Sequence, residues 1–149
     1  MKEKRYKIVP ASYLVLFEDN KILLLRRFNT GYEDGNYSLI AGHVNSGETF
    51  TECIIREAKE EAGILIEPKD LEVVHMMHRN SRLDNNNERI DTYFTAKKWN
   101  AEIVNKEPHK CDDLSWFNLD ELPENIIPCV KEAINKIKNK TYYSEYGWD

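Results

Sequence analysis

The stretch "TFTECIIREAKEEAGI", Thr49 to Ile64, constrains the fold of this 149-residue chain more than any other segment. Thr49 followed by Glu52 has the form of a capping box, and Gly63 can close the far end in a left-handed conformation, so a helix is predicted over Thr49 to Ala62. At about 100° per residue, Phe50, Ile54, Ile55, Ala58 and Ala62 fall in one broad sector that faces a core. Glu57, Glu60 and Glu61 share an adjoining sector roughly 100° wide, with Glu52 and Lys59 further toward solvent. Like charges at these spacings repel by roughly 0.2 to 0.5 kcal/mol per pair. A hard divalent cation, magnesium or manganese, would convert that repulsion into shared oxygen coordination. A solvated acidic face with Arg56 and Lys59 as local partners is the plainer alternative.

Around this helix the pattern is mostly that of strands. "SYLVLFEDNKILLLRR" reads as two extended apolar runs joined by Glu18, Asp19 and Asn20, a hairpin expectation. "GYEDGNYSLIAGHVNSGE" is rich in turn formers and leaves a short strand near Tyr37 to Ala41. "LEVVHMMHR" and "RIDTYFTAKKW" are further strands, separated by a polar loop from Asn80 to Glu88, and "LSWFNL" is another. Ile127, Val130, Ile134 and Ile137 lie at helical spacing and predict a final amphipathic helix over Ile126 to Lys138. With no repeat, linker or low-complexity tract, a single domain over residues 1–149 is expected.

Composition narrows the partners. A formal charge of −5 disfavours a protein that coats long nucleic acid, since such binding depends on neutralising many phosphates. A small anionic ligand stays compatible with it where local cations or a metal supply the field. No apolar run reaches bilayer length and "MKEKRYKIVP" lacks a signal-peptide core, so a cytoplasmic location without membrane attachment is expected. Cys53, Cys111 and Cys129 are scattered without CxxC spacing, which argues against a disulfide framework or a zinc site.

The residues upstream of the helix sharpen the metal reading. From Gly42 the chain runs "GHVNSGETFTECIIREAKEEAGI": glycine, five residues, Glu48, seven residues, Arg56 and Glu57, two residues, Glu60 and Glu61, one residue, Gly63 and an aliphatic. Seven fixed identities at roughly one in twenty each arise by chance about once in 10⁹ registers. This segment resembles the signature box of the Nudix hydrolase family at every specified position, and the strand order and "LSWFNLDELP" extend the likeness over most of the chain.

The resemblance implies an α/β fold, a Nudix α/β/α sandwich around a central mixed β-sheet. It also implies hydrolysis of a nucleoside diphosphate linked to another group, with magnesium, or manganese in its place, as cofactor. By position, Glu57, Glu60 and Glu61 resemble the family's metal-binding glutamates and Glu48 its auxiliary position. Arg56 is expected to orient carboxylates by charge-assisted hydrogen bonds, and the carbonyl region of Gly42 to add a ligand. Among the carboxylates, Glu57 and Glu61 are candidate general bases, and Glu107 in "NKEPHKCDD" is a candidate fourth carboxylate, with Asp112 and Asp113 as competitors for that role.

For the phosphates, Arg26 and Arg27 or Arg79, Arg82 and Arg89 are candidate cations, and strand alternation lets only one of Arg26 and Arg27 face a cleft. For the base, Tyr37, Tyr93 or Trp116 could stack and Asn125 could pair with a base edge; a turn or cap role for Asn125 is the alternative. His43, beside the box glycine, is a candidate lining residue.

Two departures qualify the likeness. "LIAGH" replaces the proline and double glycine common before the box, and the proline, tyrosine and "SQPWPFPxS" markers of ADP-ribose, dinucleoside polyphosphate and NADH hydrolases are missing. Elimination leaves a MutT-like enzyme that converts nucleoside triphosphates or modified nucleotides to monophosphate and pyrophosphate. A nucleotide sugar, dinucleotide or capped RNA end as substrate, and a non-catalytic nucleotide sensor, are the alternatives. The aromatic tail "TYYSEYGWD" covers either its own core or a second copy in a homodimer.

Overall fold

The computed structural model describes residues 3–81 and 87–148. In chain order its elements are β1 (Val9–Leu14), β2 (Phe17–Glu18), β3 (Lys21–Arg27), β4 (Tyr37–Ser38), β5 (Ile40–His43), α1 (Phe50–Ala62), β6 (Leu71–Ser81), β7 (Asn87–Ala96), β8 (Cys111–Asn118), α2 (Pro128–Lys138) and β9 (Tyr143–Tyr146). Five strands form a mixed sheet in the order β5-β1-β7-β6-β9, in which β1 runs parallel to β7 and β9 parallel to β6. A second sheet is built on β3, with β2 and β4 on one edge and β8 antiparallel along the other.

Helix α1 packs on β1 and β5, and α2 on β6 and β9. Two buried clusters result, because strands put alternate side chains on opposite faces. Leu14, Leu16, Ile54, Ala58, Ala62 and Phe94 fill the α1 side. Tyr13, Val15, Met77, Tyr93, Val130 and Ile134 fill the α2 side. Strand β3 contributes to both, Ile22 and Leu24 to one and Leu23 and Leu25 to the other, which accounts for its uninterrupted apolar run.

The expected hairpin is only half present. Asp19 and Asn20 do make a tight turn, with φ of 49° and 62°, but it joins β2 to β3. The first apolar run leaves the large sheet after Val15, whose amide still donates to Phe94 O at 2.7 Å, while Leu16 O accepts from Leu23 N at 3.2 Å in the small sheet. One segment therefore serves two sheets. Around Asn80 to Glu88 the strands reach further than expected, since Asn80 pairs with Glu88; residues 82–86 lie outside the described part. The tail is a strand of its own chain: β9 extends the large sheet, and Trp148 Nε1 donates to His78 O at 2.9 Å. Among the described residues no helix is long and apolar enough to cross a membrane.

Candidate active site

Helix α1 begins as its sequence dictates. Thr49 Oγ1 accepts from Glu52 N and the Glu52 carboxylate accepts from Thr49 N, which closes the capping box, and Gly63 ends the helix in the left-handed conformation at φ 70°. These two ends fix the rotation of the helix, and the rotation sends Glu57, Glu60 and Glu61 toward the small sheet. All three line a cleft of about 410 Å³ together with Leu25, Arg27, Glu107 and Lys110.

Arg56 organises the near wall. Its Nε and Nη2 donate to Glu48 Oε2 and Oε1 at 2.8 and 3.0 Å, a bidentate pair. Nη1 donates to Glu57 Oε1 at 2.6 Å and reaches Glu60 Oε2 at 3.4 Å, while Nη2 also donates to His43 O at 3.2 Å. The guanidinium and the Asn45 amide draw the Glu48 carboxyl down to about 2. Glu57 goes the other way: burial raises its pKa against the pull of Arg56, with Glu60 and Glu107 adding to the rise. Glu61 is pushed well above the carboxylate range by burial and then by Glu57, and only the Ala41 amide, donating at 3.2 Å, opposes this.

The far wall comes from the loop before β8. Lys106 N donates to Glu61 O at 3.1 Å and Val104 N to Ala62 O at 3.0 Å, which tie that loop to the helix end. Asn105 then bonds Cys111 O and the Glu107 amide at 2.7 and 3.1 Å, and Glu107 is held facing the box glutamates. Gly42 lies opposite, where a Cβ would overlap the Glu57 carboxylate. Absence of a side chain is a steric requirement at this position, as in other close backbone approaches.

These donors suit a hard divalent ion. The set is carboxylate oxygen with a nearby backbone carbonyl, and burial together with neighbouring carboxylates raises the pKa of Glu57 and Glu61, an effect that a cation between them would oppose. Among the described residues no three such groups already converge on one ligand point. Arg56 draws Glu57 and Glu60 toward itself.

The remaining sequence candidates divide by face. Arg27 lines the acidic cleft, whereas Arg26 on the opposite face donates to Asp112 at 2.7 Å and lies over the Tyr37 ring. Asp113 is also drawn away, accepting from the Tyr37 and Ser115 hydroxyls, so of the acidic candidates in that stretch it is Glu107 that reaches the cleft. Arg79 is corrected. It is buried, with Nε donating to Asp91 Oδ2 at 2.7 Å, because residues 75, 77 and 79 of β6 point into the core. Asn125 takes up the turn role that was its alternative, its Nδ2 clipping the β3–β4 loop through Gly35 O at 2.7 Å. Arg82 lies outside the described residues. Tyr37 and Tyr93 are core residues, and Trp116 borders a shallow surface groove.

Lys110, Asn29 and Thr30 line the cleft without having been anticipated. Lys110 sits in the same polar stretch as Glu107, and its charge beside a carboxylate was the available signal. Arg89 and His43 line a second cleft behind Gly42.

Comparison with known proteins supplies the family and the fold. The NUDIX domain pattern matches residues 7–137. The NAD-capped RNA hydrolase NudC of Pseudomonas aeruginosa is 29% identical over 117 residues, which is 78% of this chain and 38% of that protein. An ADP-ribose pyrophosphatase of Methanocaldococcus jannaschii is 38% identical over 73 residues, 48% of this chain and 43% of that protein. The chain thus spans about two fifths of the length of these curated relatives. In fold it is similar to the crystal structure of a MutT NUDIX hydrolase from Burkholderia pseudomallei, with a TM-score of 0.78 and 24% identity over 87% of this chain and 98% of that one. By the match of residues 7–137 and the box from Gly42 to Ile64, the chain belongs to the Nudix hydrolase family.

Proposed function

We propose that this chain is a metal-dependent hydrolase of a phosphoanhydride bond in a nucleoside diphosphate-linked compound. The observation that carries the reading is the convergence of Glu57, Glu60, Glu61 and Glu107 on one cleft that Arg27 and Lys110 also line. Carboxylates alone would repel a diphosphate. Glu57, Glu60 and Glu61, with Glu48, Glu107 and the Gly42 carbonyl around them, would hold magnesium or manganese. The bound ions supply charge neutralisation at the phosphoryl oxygens and a lowered pKa for water.

The chain's own side chains do the rest. Arg56 keeps Glu48, Glu57 and Glu60 in register, Arg27 and Lys110 hold the diphosphate, and a glutamate of the cleft takes the proton of the attacking water. Glu57, Glu61 and Glu107 are the candidates for that last role. The three cysteines are buried and free, as a reducing cytoplasm permits.

On substrate, elimination of sequence markers supports nucleoside triphosphates cleaved to monophosphate and pyrophosphate. The second reading is an ADP-linked compound, favoured by the relatives, which are named for an NAD cap and for ADP-ribose. A panel of nucleotides with product analysis decides: pyrophosphate from triphosphates supports the first, and AMP without pyrophosphate from ADP-ribose or NAD supports the second. Absence of cation-dependent turnover on every member would leave the non-catalytic sensor.

A further inference from the structure

Behind Gly42, a second cleft of about 310 Å³ is lined by Ala11, Tyr13, Arg27, Tyr32, Ala41, Gly42, His43 and Arg89. Its charge is the reverse of its neighbour's. Four glutamates line the acidic cleft, and none lines this one. Arg27 belongs to both, so the guanidinium stands between a carboxylate-rich chamber and a chamber whose charged members are arginines. It is fixed there, with Nε donating to Tyr32 O at 2.6 Å, Nη2 donating to Thr30 Oγ1 at 3.0 Å, and the Tyr32 ring 5.2 Å from its centre.

Beneath the floor the positive charge is in excess. Asp91 is fully buried and is shared by two arginines, Arg79 and Arg89, whose side chains are 5% and 12% exposed. Arg79 takes the good bond at 2.7 Å and adds a contact to the Tyr13 hydroxyl at 3.5 Å. Arg89 Nε and Asp91 Oδ1 face each other in a poorly aligned contact of 3.4 Å, and among the described residues neither atom has a hydrogen-bond partner. A guanidinium nearly removed from water and short of an acceptor is costly unless an anion arrives, and arginine matches phosphate oxygens in pairs. In a chain of net charge −5, this local surplus runs against the global field.

We propose that the cleft behind Gly42 is a phosphate-binding site, with Arg89 and Arg27 as its cationic walls and Tyr32 and His43 at its rim. Under the function proposed above, on which this part rests, its occupant is a phosphate group of the substrate other than the one cleaved. Free inorganic phosphate offers the same chemistry from a second source.

The test begins without divalent cation. In EDTA the carboxylates of the first cleft repel anions, so inorganic phosphate titrated into the wild-type chain should perturb the resonances of His43, Tyr32 and Arg89 saturably and leave those of Glu107 and Lys110 in place. Arg89→Gln should weaken that binding at least about tenfold, and Arg89→Lys, which keeps the charge but not the paired donors, should restore only part of it. If the Gln variant does not fold, the wild-type resonance map still decides. No perturbation at His43 and Arg89, or unchanged affinity in a folded Arg89→Gln, overturns the site.

Two ADP-linked substrates that differ only by one phosphate monoester on the uncleaved part separate the sources. A kcat/KM at least about tenfold higher for the phosphorylated member assigns the cleft to substrate, and equal values assign it to free phosphate. Because the phosphate titration needs no turnover, an inactive chain counts against hydrolysis and not against the cleft.

Discussion

Glu60 separates function from stability more cleanly than its neighbours. Its side chain is 50% exposed and its contact with Arg56 is long, at 3.4 Å, so the fold depends on it little. As a cation ligand it should matter greatly. Glu60→Gln is expected to lower kcat by at least about a hundredfold while shifting the melting temperature by no more than roughly 2 °C. Unchanged turnover at saturating magnesium would count against the cleft as the reaction site. Gly42 makes the opposite case, since any side chain there displaces the Glu57 carboxylate. Gly42→Ala should cost activity and stability together, and a Gly42→Ala protein with wild-type kcat would show that Glu57 can move without consequence. Both arguments were open to the sequence only in part: the box spacing named these residues, but whether Gly42 faces Glu57 depends on how β5 crosses α1.

Among the elements, α1 was legible almost to the residue because its signals are local: a capping box, an apolar stripe and a terminal glycine. The strands were legible as strands and not as pairings. Nothing within "SYLVLFEDNKILLLRR" reveals that Leu14 pairs with Ile40 and Phe94, because register is decided by distant partners. Arg79 shows the same limit. Its charge suggested a ligand contact, and only the parity of β6, set by a shift in register between Val73 and His75, turns it inward.

Strand β9 was not anticipated as a strand, and beside its pairing with β6 one buried side chain helps to hold it. His75 Nδ1 and Nε2 lie 2.7 Å from Thr141 O and 2.7 Å from Ser144 Oγ, with Tyr93 edge-on at 5.9 Å. Burial holds its pKa below the usual imidazole range; the Thr141 carbonyl and Glu132 pull it up and Lys136 pushes it further down. A histidine with a depressed folded value takes its proton more readily when unfolded. Its contribution to stability is intact above the ordinary imidazole pKa of about 6.5 and falls as pH drops from there toward the folded value. Protection factors of the amides of Tyr143 to Tyr146, taken against the intrinsic exchange rate at each pH, should fall between about pH 7 and pH 5, more than those in α1. In His75→Gln the extra loss of protection should vanish. Parallel pH dependence in the variant would assign the effect to other groups.

For the whole molecule, the acidic cleft sets a stability that depends on what it binds. Glu57 and Glu61 are partly buried carboxylates whose pKa values burial raises, with Glu60 and Glu107 adding to the rise at Glu57 and Glu57 to that at Glu61, so keeping both ionised in the folded chain is costly. That cost vanishes on unfolding, where the carboxylates are hydrated and far apart, and a cation held by both offsets it only in the folded state. Ligands that bind only the folded form stabilise by about 2.7 kcal/mol at a hundred times Kd, which for a chain of this size is roughly 5 to 10 °C in Tm. Manganese or magnesium should therefore raise Tm by several degrees in a saturable way, EDTA should reverse it, and potassium at matched ionic strength should not reproduce it. The rise should shrink in Glu57→Gln and disappear when Glu60→Gln is added, since α1 then offers one box carboxylate to the cleft in place of three. A cation-dependent rise that persists undiminished in the double variant would place the ion away from this helix and remove the physical basis for water activation at Glu57 and Glu61.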